Sequence, residues 1–222
     1  NKLKAKIYKS PNKQKKINEL TYGSKIRVID KKNEFLKFDT GWIRKNETVP
    51  ITYKEKNPFK QISIFKNINY KWGGKSFNGI DCSALVQIFL NFNKRFCPRD
   101  AKDQVKYFKK NIKFKNIKKN DIIFWKGHVG IALSKKKLIH AYGPMKKTVI
   151  MGIDETIKRI KKTTNLEVIG ITPEIYTKEF RKLTIGDIEF KKGPSVLKLK
   201  TSKKVGKNSI DFRLLVLKKN KV

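Results

Sequence analysis

The sequence predicts an α+β fold, and three observations support this prediction. Residues 1–52 contain short strand patterns and no helical pattern. A nearly all-apolar helix follows at Asp81–Phe92. After it come three runs rich in β-branched and aromatic residues, at Asp121–Trp125, His128–Leu133 and Leu138–Tyr142. A helix followed by closely spaced strands is typical of a helix packed on an antiparallel sheet.

The first segment, residues 1–52, is predicted to form a small β-barrel, because closure of the sheet removes exposed strand edges. Turn residues separate its strands. The expected strands are Ala5–Tyr8, Lys25–Ile29, Phe35–Phe38 and Gly41–Ile43.

This segment resembles a bacterial SH3-like domain. The resemblance rests on Leu36-Lys37-Phe38, a turn and Gly41-Trp42-Ile43, with Tyr22-Gly23 before the second strand. An unrelated β-meander with Trp42 in its core remains the alternative.

Residues 53–59 are predicted to form a linker, because the stretch from Val49 to Pro58 is polar and carries two prolines. The second domain is then expected at residues 60–174. Its helix Asp81–Phe92 has apolar residues on all sides, so we expect it to be buried. A second helix is expected at Lys102–Lys110.

Residues 175–222 form a basic extension of unknown role. Three alternating runs within it indicate strands, at Leu183–Phe190, Val196–Leu199 and Ile210–Leu217. A small sheet packed on the second domain and a disordered tail both remain open.

The net charge of +37 raises the question of a nucleic-acid partner. Lysines are spread at similar density along the whole chain, and only seven of the 55 basic residues are Arg. A binding face is usually a local excess rich in Arg, so we expect a solvated lysine surface and no dedicated nucleic-acid binding.

The longest apolar stretch, Ala84–Phe92, is much shorter than the ~20 residues that span a bilayer, so no membrane span is predicted. Two cysteines do not make a disulfide framework. The sequence leaves the compartment open between cytoplasm and cell envelope, and it leaves the oligomeric state unknown.

Cys82 follows Asp81, the expected N-cap of the buried helix. The positive end of the helix dipole and unpaired backbone N–H groups are expected to lower the pKa of a thiol at this place. Cys82 is therefore a candidate nucleophile, with simple packing as the alternative. Cys97 is interpreted as a packing residue.

The chain has two histidines, His128 and His140, in one expected hairpin. A three-residue turn at Ser134-Lys135-Lys136 would set His140 opposite Gly130 and bring both rings to one face of the sheet. One histidine can then act as the base for a thiol while the other orients its ring. Two histidines and one cysteine could also bind zinc, but no close-spaced pair of ligands supports a metal site.

Several motifs together resemble the NlpC-type family of cell-wall cysteine peptidases, which have a papain-like fold. The resemblance covers roughly residues 60–172. Its motifs are Tyr70-Lys71-Trp72-Gly73-Gly74, Gly79-Ile80-Asp81-Cys82-Ser83-Ala84-Leu85-Val86-Gln87, Pro98-Arg99-Asp100, Gln104, Asp121-Ile122-Ile123-Phe124-Trp125, Gly127-His128-Val129-Gly130-Ile131 and His140-Ala141.

The resemblance implies Cys82 as nucleophile, His128 as base and His140 as the orienting residue. It also implies that Tyr70 polarises the scissile carbonyl. Residues assigned to substrate binding by the same resemblance are Asp81, Ser83, Trp72, Arg99 and Asp100, with Asp81 and Ser83 expected to bind a free amine.

The implied activity is hydrolysis of peptidoglycan stem peptides, at the bond between γ-D-glutamate and a diamino acid, without a metal or cofactor. An amidase or acyltransferase of the wider papain-like group and a non-catalytic wall-binding protein are the alternatives. A nucleic-acid binder is a third, which the uniform lysine density disfavours.

Overall fold

The structure is a computed structural model that describes residues 2–12, 15–108, 110–174 and residue 194. The described residues up to 174 belong to one compact unit. The expected strands between residues 183 and 217 lie outside the described residues. The expected boundaries of the two domains and the linker stay a prediction.

The N-terminal sheet has five antiparallel strands in the order β2-β1-β5-β4-β3. The strands are β1 (Lys4–Tyr8), β2 (Lys16–Thr21), β3 (Asp30–Lys32), β4 (Phe35–Phe38) and β5 (Gly41–Arg44). Three of them confirm the expected strands. The strand expected at Lys25–Ile29 is wrong, because the chain is extended as a strand only from Asp30. Strand β2 was missed because its residues are mostly polar.

No ladder joins β2 to β3 among the described residues of this segment, so no closed barrel is seen there. The core of the sheet lies on one face, where Ile43 pairs with Ile7 on one side and Leu36 on the other. Gly41 makes the turn into β5 with φ +147°, and a Cβ there would lie 2.7 Å from the Tyr8 carbonyl oxygen. This close approach requires glycine.

A short hairpin precedes the central helix, with strands β6 (Lys75–Ser76) and β7 (Gly79–Ile80). The helix α1 (Cys82–Phe92) begins after the N-cap Asp81, and every residue from Cys82 to Leu90 is buried. The expected buried helix is therefore confirmed. A second helix, α2 (Ala101–Tyr107), lies where one was expected but ends earlier.

A second antiparallel sheet, here called the catalytic sheet, has the strand order β11-β10-β9-β8-β12. Helix α1 packs on one face, and helix α3 (Ile153–Thr164) packs on the other. The strands are β8 (Ile122–Trp125), β9 (His128–Ala132), β10 (Lys137–Tyr142), β11 (Lys147–Gly152) and β12 (Val168–Thr172).

Strands β8 to β10 confirm the prediction, and the helix-plus-sheet architecture confirms the α+β class. The elements β11, α3 and β12 were not predicted. Alternation along β8 shows why this sheet needs two covering layers: Ile122 and Phe124 pack with α1, and Ile123 and Trp125 pack with α3. None of the described helices is long and apolar enough to cross a membrane.

Candidate active site

Cys82 is the first residue of α1, and its side chain is buried, with 6% of its surface exposed. The Asp81 carboxylate caps the helix by accepting a hydrogen bond of 2.8 Å from the Ala84 N–H. The backbone N–H groups of Val129 and Ser83 lie close to the Cys82 sulfur and favour its thiolate. The contact with Val129 brings the thiol to the strand that begins with His128.

Burial raises the pKa of Cys82 to about 11, and the nearby Asp81 charge acts in the same direction. The backbone N–H groups of Val129 and Ser83 lower the pKa, but by less than burial raises it. The sequence-based expectation of a lowered pKa is therefore wrong for this state of the protein. The reason is that the helix N-terminus is buried, and desolvation of a thiolate outweighs the favourable N–H groups. The thiol is neutral at neutral pH.

The two histidines lie on the hairpin as the sequence predicted. Leu138 pairs with Ala132, and the Leu133 N–H donates to the Lys137 carbonyl at 2.8 Å. This register leaves residues 134–136 as the turn. The prediction of an odd loop that sets His140 opposite Gly130 is thus confirmed.

A hydrogen bond of 2.9 Å joins Nε2 of His128 to Nδ1 of His140. Gly130 makes room for this pair, because a Cβ there would lie 3.4 Å from the His140 Cβ. The His140 ring also stacks on Tyr142, with ring centres 4.8 Å apart. Both rings therefore occupy one face of the sheet in a fixed arrangement.

Burial lowers the pKa of both histidines. The pKa of His128 falls to about 4, and the pKa of His140 is also well below its ordinary value, with the neighbouring His128 as a second cause. Both rings are neutral at neutral pH. A neutral His128 that uses Nε2 toward His140 has Nδ1 left for another partner.

The Asp81 carboxylate is the centre of a dense hydrogen-bond network. Arg99 donates from Nη2 to Oδ2 at 2.6 Å and from Nη1 to Oδ1 at 3.0 Å, which is a bidentate ion pair. The Ser83 hydroxyl and the Gly73 N–H each donate to the carboxylate at 3.0 Å. Burial favours the neutral acid, but the hydrogen bonds from Arg99, Ala84 and Ser83 outweigh it and hold the pKa of Asp81 below its ordinary value.

Gln104 joins α2 to the start of α1. Its Nε2 donates to the Ser83 carbonyl at 2.9 Å and to the Pro98 carbonyl at 3.0 Å. The residue after Pro98 is Arg99, so Gln104 holds the Arg99 loop against the first turn of α1. The sequence motif contained Gln104 but gave no role for it, since its two partners are carbonyl groups that only the fold brings together.

The remaining sequence-predicted residues differ in exposure. Tyr70 is half-buried, and burial, followed by the charges of Cys82 and Asp81, raises its pKa to about 12. Trp72 is 84% exposed. Asp100 is exposed at the start of α2, and its side chain does not cap that helix. Among the described residues, no group of three or more His, Cys, Asp or Glu side chains is placed to hold a metal ion.

Comparison with known proteins identifies the family of this chain. Residues 67–165, which include Tyr70, Cys82, His128 and His140, match the NlpC/P60 family. A probable endopeptidase of Haemophilus influenzae is 32% identical over 114 residues, which cover 43% of this chain and 70% of that protein. The chain belongs to the NlpC/P60 family.

A longer relative covers more of this NlpC/P60 chain. The gamma-D-glutamyl-L-lysine dipeptidyl-peptidase of Bacillus subtilis is 31% identical over 167 residues, or 68% of this chain. The chain spans 55% of the length of that relative.

A solved structure shows the same fold. The crystal structure of an NlpC/P60 family protein from Bacillus cereus superimposes with a TM-score of 0.64 at 21% identity. It covers 80% of this chain, and this chain covers 62% of it.

Proposed function

We propose that this protein is a cysteine peptidase that hydrolyses peptidoglycan stem peptides at the bond between γ-D-glutamate and a diamino acid. The observation that carries the proposal is the juxtaposition of Cys82, at the start of a buried helix, with a strand whose His128 is hydrogen-bonded to His140. The substrate class is supported by the name of the Bacillus subtilis relative, which acts on a γ-D-glutamyl-L-lysine bond.

The protonation states support a general-base mechanism. Both Cys82 and His128 are neutral at neutral pH, so the resting site holds no thiolate–imidazolium pair. In the proposed mechanism the thiol gives its proton to His128 only as sulfur attacks the scissile carbonyl carbon. A carbon–sulfur bond forms, and the carbonyl π bond opens to an oxyanion. The same proton then moves to the leaving amine as the carbon–nitrogen bond breaks. Water hydrolyses the thioester, with His128 accepting its proton, and the thiol is restored.

The hydrogen bond between the histidines is compatible with the tautomer that this mechanism needs. If the Nε2–H of His128 donates to Nδ1 of His140, Nδ1 of His128 is free of a proton and can act as the base. The same bond fixes the plane of the His128 ring. His140 is therefore the orienting residue.

The oxyanion is proposed to accept hydrogen bonds from the Cys82 backbone N–H and the Tyr70 hydroxyl. Tyr70 suits this role because a pKa of about 12 keeps its hydroxyl protonated at neutral pH. A buried or half-buried donor of this kind stabilises charge that develops only in the transition state.

Asp81 is less suited to binding a substrate ammonium group than the sequence suggested. Its carboxylate already accepts hydrogen bonds from Arg99, Ser83, Gly73 and Ala84. We therefore assign Asp81 and Ser83 to the support of the site and propose the exposed carboxylate of Asp100 for an amine. The exposed Trp72 ring is proposed as a wall of the substrate cleft.

The N-terminal sheet, within residues 1–52, is proposed to be an SH3-like domain ahead of a peptidase domain at residues 60–174. The strand order β2-β1-β5-β4-β3 and the turn that leads into Gly41-Trp42-Ile43 of β5 support this proposal.

The function is tested by incubating the protein with L-Ala-γ-D-Glu-diaminopimelate and L-Ala-γ-D-Glu-L-Lys, with products identified by mass spectrometry. We expect release of the diamino acid from at least one peptide, no release by Cys82→Ala, and full release by the control Cys97→Ala. Transfer of the acyl group to an added amine without hydrolysis would favour an acyltransferase. Binding of wall fragments without cleavage would favour a non-catalytic protein.

A further inference from the structure

The hairpin of β6 and β7 leads directly into the nucleophile. Ser76 pairs with Gly79 and Lys75 pairs with Ile80, so the tip of the hairpin is residues 77–78. The next residue after Ile80 is Asp81, which caps α1. Any contact that holds the tip of this hairpin therefore also holds the segment that enters α1 at Cys82.

The tip is held by one cross-strand pair of the N-terminal sheet. Lys4 of β1 and Thr21 of β2 are paired in the ladder. Thr21 accepts a hydrogen bond of 3.3 Å from the Phe77 N–H through its hydroxyl oxygen. Lys4 places its ammonium group 4.9 Å from the centre of the Phe77 ring. The pair thus contacts both the backbone and the side chain of Phe77.

The residue that follows β2 packs against the C-terminal half of α1. Tyr22, which directly follows Thr21, is 4% exposed. Its ring centre lies 4.9 Å from that of Phe89 and 4.8 Å from that of Phe92. The sheet therefore contacts the C-terminal half of α1 through Tyr22 and the approach to its N-terminus through Phe77.

The hairpin itself has little freedom to shift on its own. A Cβ at Gly79 would lie 2.5 Å from the Lys71 Cβ, so this strand is packed directly against the preceding loop. The Asp81 N–H donates to the Gly74 carbonyl at 3.2 Å, and the Gly73 N–H donates to Asp81. A displacement of the tip is therefore transmitted to Asp81.

We propose that the N-terminal sheet braces this hairpin, and that Lys4 and Thr21 are positioning residues that act on Cys82 through Phe77. The proposal rests on the proposed function for its activity measurement. Such bracing matters because the Cys82 sulfur must keep its place beside Val129 and the strand of His128. Small displacements of a reacting group strongly lower the rate of a chemical step.

The experiment compares Thr21→Val and Lys4→Gln with matched controls. We expect each variant to lower kcat for the stem peptide about threefold to tenfold with little change in KM, as expected for loss of one hydrogen bond or one cation–π contact. Thr21→Ser and Lys4→Arg keep the hydroxyl and the cation and should restore kcat. Lys6→Gln, on the same strand and also exposed, should leave kcat unchanged.

A double-mutant cycle tests whether Lys4 affects kcat through its contact with Phe77. In the Phe77→Ala background, Lys4→Gln should have no further effect, because the ring that the ammonium group contacts is gone. An effect of Lys4→Gln that is the same with and without the ring would overturn the proposal. So would Thr21→Val and Lys4→Gln variants that lower only the melting temperature and leave kcat at the wild-type value.

A second measurement does not need a substrate. A loosened hairpin should expose the buried thiol, so Thr21→Val and Lys4→Gln should speed alkylation of Cys82 by iodoacetamide while alkylation of Cys97 stays unchanged. If the wild-type protein cleaves no stem peptide, the proposed function fails, and the alkylation rates alone decide the bracing. Unchanged alkylation rates in that case reject it.

Discussion

The two five-stranded sheets of the described chain differ in how many faces are covered. The catalytic sheet lies between α1 and α3, and all four residues of β8 are buried. The N-terminal sheet has its apolar cluster on one face, to which β1 contributes Ala5 and Ile7. Its other face carries the exposed lysines of β1 and is covered at the buried ring pair of Tyr8 and Phe35. The residues proposed for catalysis on strands lie on the doubly covered sheet.

This difference has a chemical consequence. Burial lowers the pKa of His128 and His140 and keeps both rings neutral at neutral pH. The N-terminal sheet offers no comparable environment among its described residues, and its contribution is mechanical, through Lys4 and Thr21 on the hairpin tip.

The largest expected effect comes from the histidines. We expect His128→Ala to lower kcat about 10²–10⁴-fold, because a general base contributes on that scale. His140→Ala should retain partial activity, because it orients the base without taking the proton. On the N-terminal sheet, Trp42→Phe should leave kcat unchanged. Steady-state kinetics on the stem peptide measures all three, and equal kcat values for His128→Ala and wild type would contradict the mechanism.

The next largest expected effect is a difference in stability between variants that truncate a core side chain in each sheet. Phe124→Ala, at a fully buried position facing α1, is expected to lower the free energy of unfolding by about 3–5 kcal/mol. Leu36→Ala, 9% exposed in the core of the N-terminal sheet, should lower it by about 2–3 kcal/mol. Urea denaturation followed by circular dichroism measures both. A larger effect at Leu36 would reverse the comparison.

The pH dependence of stability should reflect the buried histidines. Their pKa values are lower in the folded protein than in the unfolded chain, so the unfolded chain binds more protons below about pH 6.5. Stability is then fully present above pH 6.5 and is lost as the pH falls toward 4. We expect a loss of about 3–5 kcal/mol between pH 7.5 and pH 4.5, since each histidine contributes about 2 kcal/mol over this range.

Urea denaturation at a series of pH values checks this prediction. The pKa of Asp81 is also lowered, but its contribution is lost mainly at more acidic pH, below the ordinary range of an aspartate. The double variant His128→Gln/His140→Gln should flatten the dependence above pH 4.5. The same slope in wild type and double variant would show that other groups cause it.

The smallest expected effect is the difference in alkylation rate between the two thiols. Burial raises the pKa of both, and more strongly for Cys97, which is 1% exposed against 6% for Cys82. We expect iodoacetamide at pH 7 to label Cys82 about tenfold faster than Cys97, since a lower pKa gives more thiolate. Peptide mapping by mass spectrometry resolves the two sites. Equal alkylation rates for Cys82 and Cys97 would contradict the expected difference in thiol pKa.

Much of the catalytic sheet was predictable from the sequence. The runs at β8 to β10 are apolar enough to be recognised, and the even spacing of His128 and His140 predicted their shared face. The missed elements have weaker patterns: β2 is mostly polar, and α3 is rich in lysine with few apolar residues. Such elements form because a neighbouring sheet covers their few apolar side chains, which local sequence does not show.

The sequence by itself determined the nucleophile candidate, the pair of histidines and the hairpin register, because helix capping and strand alternation are local properties. Which histidine is the base was implied only by the family resemblance. Only the tertiary structure decided the charge states and the partners. Burial, which depends on what packs around α1 and the catalytic sheet, keeps Cys82 and His128 neutral. The pairing of Asp81 with Arg99 and the contact of Lys4 with Phe77 join residues far apart in the chain, and no local pattern encodes such distances.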